Sequence, residues 1–441
     1  MVSSNHCTLL RVLVAAAFFI SSQSLVVCYS TTTSSWSSRD PPFPRKLLTT
    51  NTCPSSPSLP APSLPWSHAP FCPPPSNPNI GGEVPDDCVF IVTTFRASQG
   101  LSLVTTPDLA SSIVSFLDDG FVSVRLRDHP SVSQRQQDTS TEKHDGRNGM
   151  GYTVKPLPGR GKGVLATRRF AKHETVMVDF PALLVRFDFL NSERFDPSAQ
   201  RGMLERAVRR LPRETRDAII GTDVVRDVIQ TNAFGVEIEG VNHMALFLHG
   251  SRVNHGCRPN VFWRYSHRDM AMEMVALREI KPGDEIVHSY APLGYTMQER
   301  QQTLEAWGFR CRCEMCSAPA GQIALSDRRR ERMFEIHSTL GMAAESASLS
   351  KQRIDALVRE AMGIIEVEEL DPQLVAYHEV FARAYMSVGD VSSARSHVMA
   401  AEEKWVYYEG EEHSNIEQIK RLWEELDGLQ EEVDEDDDDE D

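Results

Sequence analysis

Two cysteine groups that lie far apart in the chain make chemical sense only together. Asn254-His255-Gly256-Cys257-Arg258-Pro259-Asn260 carries one cysteine with no cysteine neighbour, and Cys311-Arg312-Cys313-Glu314-Met315-Cys316 carries three. A structural zinc ion takes four ligands in a tetrahedron, which three thiolates leave open and four close. The pattern predicts a closed zinc site of Cys257, Cys311, Cys313 and Cys316, made when the fold lays the second segment on the first. In an oxidising compartment the clustered thiols could form disulfides instead, but their close spacing disfavours strain-free pairing among them. Such a site is structural, and it couples metal binding to folding.

Other residues could meet a ligand. Gly161-Lys162-Gly163 lets backbone approach a ligand closely, because no side chain flanks Lys162, although Gly-x-Gly alone is a common turn. Tyr290 ends the strand-like run Glu285-Ile286-Val287-His288-Ser289-Tyr290, where an ordinary packed tyrosine is the plain alternative. Taken in order, four segments resemble SET-domain protein lysine methyltransferases. These are Gly159-Arg160-Gly161-Lys162-Gly163-Val164-Leu165-Ala166-Thr167, Asn254 to Asn260, Glu285 to Tyr290, and the zinc cysteines.

The resemblance implies methyl transfer from S-adenosyl-L-methionine to a protein lysine. It implies that Gly161, Lys162, Gly163, Asn254, His255, Tyr290 and Phe309 meet the cofactor, that Tyr290 is catalytic, and that Trp307 walls the lysine channel. Asn232 matches another cofactor-contacting asparagine in the SET-and-MYND branch, although an asparagine in a turn is equally ordinary. Three departures stand out. Gly256 replaces a common serine, Trp307 lies where relatives often carry tyrosine, and residues 171–231 hold no cysteine and only His173, so the MYND finger is missing. A catalytically inactive SET-fold module that recruits basic partners is the competing expectation.

Around these segments the expected fold is mixed α+β: a mostly β SET domain with a helical insert over 196–231 and a post-SET zinc segment, then an all-α domain. At 441 residues several units fit. The expected divisions are a signal-peptide-like segment (1–28), a Pro/Ser-rich linker (29–85), an N-terminal α/β extension (86–126), a polar linker (127–149), the SET and post-SET domain (150–318), a helical domain (319–427) and an acidic disordered tail (428–441). The strand readings are Val164–Phe170, Thr175–Phe180 running on through Pro181–Val185, Met272–Leu277 and Glu285–Tyr290, with a short helix over Gln298–Trp307. The extension Gly100 to Thr106 echoes Gly163 to Thr167 and is read as a lead-in packed on the SET domain, similar to that of fungal SET proteins. Tyr377, Phe381, Ala384 and Tyr385, a Gly389-Asp390 turn, and Ala394, Val398 and Ala401 resemble one tetratricopeptide-type hairpin.

The formal charge of −16 is mostly local, since residues 431–441 hold ten acids and −16 plus 10 leaves −6. Nothing basic or aromatic in the composition adds a nucleic-acid-binding face, and a monomer acting on a lysine-bearing protein is expected. Arg11 followed by Val12 to Ile20 has the length of a signal peptide rather than a membrane span. The expected location is therefore the secretory route if that signal is used, and cytoplasm or nucleus otherwise. Cys53, Cys72 and Cys88 would then allow one disulfide of unreadable pairing.

Overall fold

The computed structural model describes residues 65–77, 87–118, several positions between 122 and 132, 149–220, 225–408 and 416–438. The segment 1–28, the linker as far as residue 64 and most of 127–149 lie outside the described residues. In chain order the lead-in holds β1 (Cys88–Val92), β2 (Leu101–Thr105) and α1 (Pro107–Ser112). The central domain begins with β3 (Tyr152–Leu157), β4 (Gly161–Ala166), β5 (Thr175–Asp179) and β6 (Pro181–Arg186). The insert follows as α2 (Phe187–Asn191), α3 (Pro197–Arg209), α4 (Arg213–Ile220) and α5 (Val225–Asn232). Then come β7 (Phe234–Ile238), β8 (Val241–Phe247), β9 (Asn254–His255), β10 (Val261–Ser266), β11 (Ala271–Ala276), β12 (Glu285–His288) and α6 (Met297–Leu304).

The strands form three sheets: β1-β2-β6-β8-β7, β10-β11-β5 and β3-β4-β12-β9. The lead-in does more than pack on the central domain. Its strand β2 runs parallel to β6, so β1 and β2 extend the five-stranded sheet, and both are buried along their whole length. The end of the Pro/Ser-rich stretch is pinned there too. Phe71 bridges Val89, Trp66 packs on Phe90 with ring centroids 5.0 Å apart, and Cys72 is disulfide-bonded to Cys88. Cys53 lies outside the described residues.

Two strand readings are corrected. Val164–Phe170 ends as a strand at Ala166, with Phe170 making only a bridge to Ile280. The run from Thr175 to Val185 is not one strand, because β5 and β6 belong to different sheets. Pro181 brings no N–H to continue a ladder. Beside it the buried Asp179 carboxylate accepts from the backbone of Phe180, His249 and Gly250, holding the break against the loop that leads to β9. The insert folds as expected, burying Leu204, Val208, Leu211, Ile219, Val225 and Ile229. Asp196 caps α3 through the N–H groups of Ser198 and Ala199.

The helices after the zinc cysteines are α7 (Ala320–Ser346), α8 (Lys351–Glu368), α9 (Leu374–Met386), α10 (Val391–Tyr408) and α11 (Ile416–Asp438). Helices α9 and α10 form the expected hairpin around Gly389, which sits at φ +70. Helix α11 runs on to Asp438, through most of the acidic block that composition reads as a disordered tail. The helical domain is seated on the central one: Val375, Trp405 and Tyr408 bury Leu277 and Phe262. The buried Arg330 pairs with Glu368 at 3.2 Å and also donates to the carbonyl of Leu293, which fastens the chain just beyond Tyr290 to α7 and α8. No described helix is long and apolar enough to cross a membrane.

Candidate active site

The site is organised by β12, whose partners lie on both sides. It pairs antiparallel with β4 and parallel with the two-residue β9, in the register Val287 to Asn254 and His288 to His255. Asn260 replaces a missing ladder partner: its Nδ2 donates to the carbonyl of Glu285 at 2.8 Å, and its Oδ1 accepts from Val287 N–H at 2.8 Å. The chain from β9 is therefore stitched to β12 beside the segment that carries Cys257.

Tyr290 follows this strand. Its phenol donates to the carbonyl of Val253 at 2.9 Å, and its backbone N–H donates to His255 Nδ1 at 3.0 Å. Because that nitrogen accepts, the neutral imidazole carries its proton on Nε2, which faces Cys257 Sγ at 3.1 Å. Burial pushes the His255 pKa down to about 4, so the ring stays neutral at physiological pH. His255 thus ties the tyrosine backbone to a cysteine sulfur, and its own carbonyl accepts from Arg160 at 2.9 Å. Burial raises the Tyr290 phenol to about 12, so it remains a proton donor with lone pairs to spare.

On the neighbouring edge, Glu285 holds two groups apart by its two oxygens: Oε1 accepts from Asn254 Nδ2 at 2.9 Å and Oε2 from Arg160 at 2.6 Å. Asn254 is thereby oriented with its Oδ1 left to meet a donor. The two glycines of β4 serve different needs. Gly161 has φ +66, and a Cβ there would project into open space. At Gly163 a Cβ would come 2.2 Å from Leu157 Cδ1 and 2.9 Å from Asn254 Nδ2. Gly163→Ala is expected to cost about 1–3 kcal/mol of stability by overpacking and, by displacing the Asn254 side chain, to weaken any ligand held there. Thermal melts and titration calorimetry on the variant check both effects. Lys162, between them, is exposed.

Tyr290 also lines an open cleft that includes Asn232, Phe234, Trp263, His288 and Trp307. Its aromatic wall is continuous. Ring centroids run Trp263 to Phe234 at 5.0 Å, Phe234 to His288 at 5.3 Å, His288 to Tyr290 at 4.9 Å and Tyr290 to Trp307 at 5.5 Å. Asn232 closes α5 at the rim, its Nδ2 donating to Val228 O and Thr231 Oγ1. Phe309 stands on the other side of Tyr290, 6.3 Å between centroids, and is 38% exposed. Sequence reasoning assigned no role to Arg160, Val253 or His288. Arg160 was visible inside the glycine run, but a carbonyl such as that of Val253 leaves no mark in residue type.

The four cysteines do converge. Their sulfurs all lie within 4.8 Å of one another, with Cys257 3.8 Å from Cys311 and 3.5 Å from Cys316. Zn–S bonds of about 2.3 Å make a tetrahedron whose edges are roughly 3.8 Å, so these sulfurs can hold a zinc ion and are too far apart for disulfides. The open backbone at Gly161, the oriented Asn254 and the half-exposed Phe309 likewise fit an elongated ligand with an amino-acid end and an aromatic end.

Comparison with known proteins agrees with this geometry. Residues 161–291 match the SET domain family. The chain is 28% identical over 195 residues to the histone-lysine N-methyltransferase set5 of Schizosaccharomyces pombe, covering 43% of this chain and 58% of that one. It is 35% identical over 92 residues to the N-lysine methyltransferase SMYD2 of Homo sapiens, covering 20% and 21%. Histone-lysine N-methyltransferase SET5 of Meyerozyma guilliermondii is 31% identical over 126 residues, 28% of this chain and 24% of that one. The matched stretch thus spans little more than half the length of the fission-yeast relative and about a fifth of the human one.

Proposed function

We propose that this chain, which carries a SET domain, is a protein-lysine N-methyltransferase that uses S-adenosyl-L-methionine. The observation that carries the reading is Tyr290, a protonated phenol anchored on the Val253 carbonyl at the meeting point of an aromatic cleft and a polar strand edge. When bound, the cofactor supplies an electrophilic methyl on a positive sulfur. Gly161, Lys162 and Gly163 would offer backbone to its methionine end, Asn254 its side-chain oxygen and His255 its backbone along its length, with Asn232 at the rim and Phe309 over its aromatic end. Opposite, the rings of Phe234, Trp263 and Trp307 take the aliphatic stem of a lysine and exclude water. Alignment of nitrogen, methyl and sulfur with the water gone supplies most of the rate in such a displacement.

Once bound, the cofactor would give its methyl to the amine lone pair and keep the C–S electron pair on its sulfur. Tyr290 Oη, its proton committed to Val253, has lone pairs for the polarised methyl hydrogens. The Cys257, Cys311, Cys313 and Cys316 zinc site is closed, so its part is to hold Trp307 and Phe309 over the site. The signal-like start and the Cys72–Cys88 disulfide support an oxidising, secretory location. The test is titration of the full chain with S-adenosyl-L-methionine, followed by label transfer to lysine-bearing basic proteins. Micromolar binding with transfer supports the enzyme. Binding of basic proteins with no cofactor heat would leave the inactive module.

A further inference from the structure

Arg300 lies on α6 and is 2% exposed, and no carboxylate pairs with it among the described residues. Its Nη1 donates to the carbonyl of Tyr295, and its Nε has no hydrogen-bond partner. Arg330 on α7 brings a second buried guanidinium, close enough for the two charges to oppose each other. The carboxylates lining the same chamber are spoken for: Glu285, Glu368, Glu279 and Asp284 have partners of their own, Asp327 accepts from Met297 N–H, and Glu314 is exposed. A buried charge with no counter-charge is strongly unfavourable, so something negative must face Arg300. The cysteines lie one helical turn on. Leu304 is at i+4 from Arg300, on the same face of α6, and is buried with Cys257 and Cys311. Gln301 brackets Cys311, its Nε2 donating to that carbonyl at 2.9 Å and its Oε1 accepting that N–H at 3.0 Å. Arg300 itself lines one chamber with Cys257, Cys313 and His255.

Resting on the four-cysteine zinc reading, we infer that Arg300 is a positioning residue of the metal centre: its buried positive charge balances the negative zinc tetrathiolate and so holds the ion, and the segment closed by it, in place. Four thiolates around a zinc ion leave a net double negative charge. Glu368 answers Arg330, which leaves Arg300 as the buried cation available to that centre. In an interior of low dielectric such an attraction is little screened, and groups beyond the ligands tune metal affinity. In the metal-free chain the double negative charge is absent and Arg300 is left unbalanced. The arginine therefore favours the metal-bound chain twice, by attraction with the ion present and by an unpaired charge without it.

The experiment is the zinc affinity of the full chain, measured by competition with a chromogenic chelator, for the wild type, Arg300→Met, Arg300→Gln and Arg300→Lys, with melts of the metal-free chains alongside. Methionine fills the space without charge, and glutamine keeps a donor for the Tyr295 carbonyl without charge. Both should weaken zinc binding by about tenfold or more, while lysine, which keeps the charge, should hold zinc nearly as the wild type does. Metal-free Arg300→Met should melt no lower than the metal-free wild type, because an apolar chain replaces an unbalanced charge; a merely structural arginine would give the opposite. Zinc held as tightly by folded Arg300→Met or Arg300→Gln as by the wild type overturns the inference and leaves the zinc site standing. Equal loss in Arg300→Lys overturns it too, since shape rather than charge would then matter. Failure of both uncharged variants to fold even with zinc present also overturns it, because the arginine would then serve the fold and not the metal. A wild-type chain that binds no zinc removes the four-cysteine reading and the inference together.

Discussion

Tyr290→Phe lowers methyl transfer by about a hundredfold or more and leaves the calorimetric affinity for S-adenosyl-L-methionine nearly unchanged. The phenylalanine ring still stacks among His255, His288, Trp307 and Phe309, so the walls of the site survive. What disappears is the oxygen anchored on the Val253 carbonyl. That carbonyl loses its donor, a cost of about 1–3 kcal/mol, visible as a lower melting midpoint but too small to unfold a domain of this size. Parallel loss of rate and affinity would make Tyr290 a binding group rather than a catalytic one. The pH dependence separates them further. Transfer by the wild type should climb from pH 7 towards pH 9.5 as the target amine loses its proton, its ordinary pKa being about 10.4. The phenol, raised to about 12, adds no downturn over that range.

Residue type and spacing made the skeleton of this site legible. Four cysteines, two glycines, an asparagine-histidine pair and a strand-ending tyrosine are chemistry written in side chains, and the fold gathers them as their order implies. Legibility failed where the work is done by register or by backbone. Nothing in Val253 announces that its carbonyl will hold a phenol. The split between β5 and β6 depends on Asp179 accepting from three N–H groups, two of them about seventy residues away. The pairing of Cys72 with Cys88 required knowing that Phe71 lies against Val89. His288 lies in a strand-like run, yet its place in the cleft follows only once the strand's buried face is known. His255 offered a cofactor contact by resemblance, whereas its ring nitrogens are taken up by Tyr290 and Cys257.

That last pair of hydrogen bonds decides the second large effect. Cys257→Ser, or chelation of the wild type, should remove the metal, lower the melting midpoint by about 10 °C or more, and abolish cofactor binding along with transfer. Structural zinc in small domains is worth roughly 10–16 kcal/mol at neutral pH, as much as a whole domain's stability. Half of it lost would move the midpoint that far, since ~1 kcal/mol shifts it by roughly 2–4 °C at this size. The reason binding fails as well is geometric. Cys257 and Cys311 are buried with Leu304 against Tyr290 and Trp307, and His255 Nε2–H donates to the Cys257 sulfur while Nδ1 holds the Tyr290 backbone. A serine oxygen can accept that proton but cannot complete a four-sulfur shell, so the segment bearing Trp307 and Phe309 is released and the cleft loses a wall. Tyr290→Phe and Cys257→Ser should therefore part company in a two-column measurement of metal content and cofactor affinity: the first keeps both, the second loses both. Unchanged zinc in Cys257→Ser would break the four-cysteine assignment, and with it the link that makes the metal centre the keystone of the tyrosine's position.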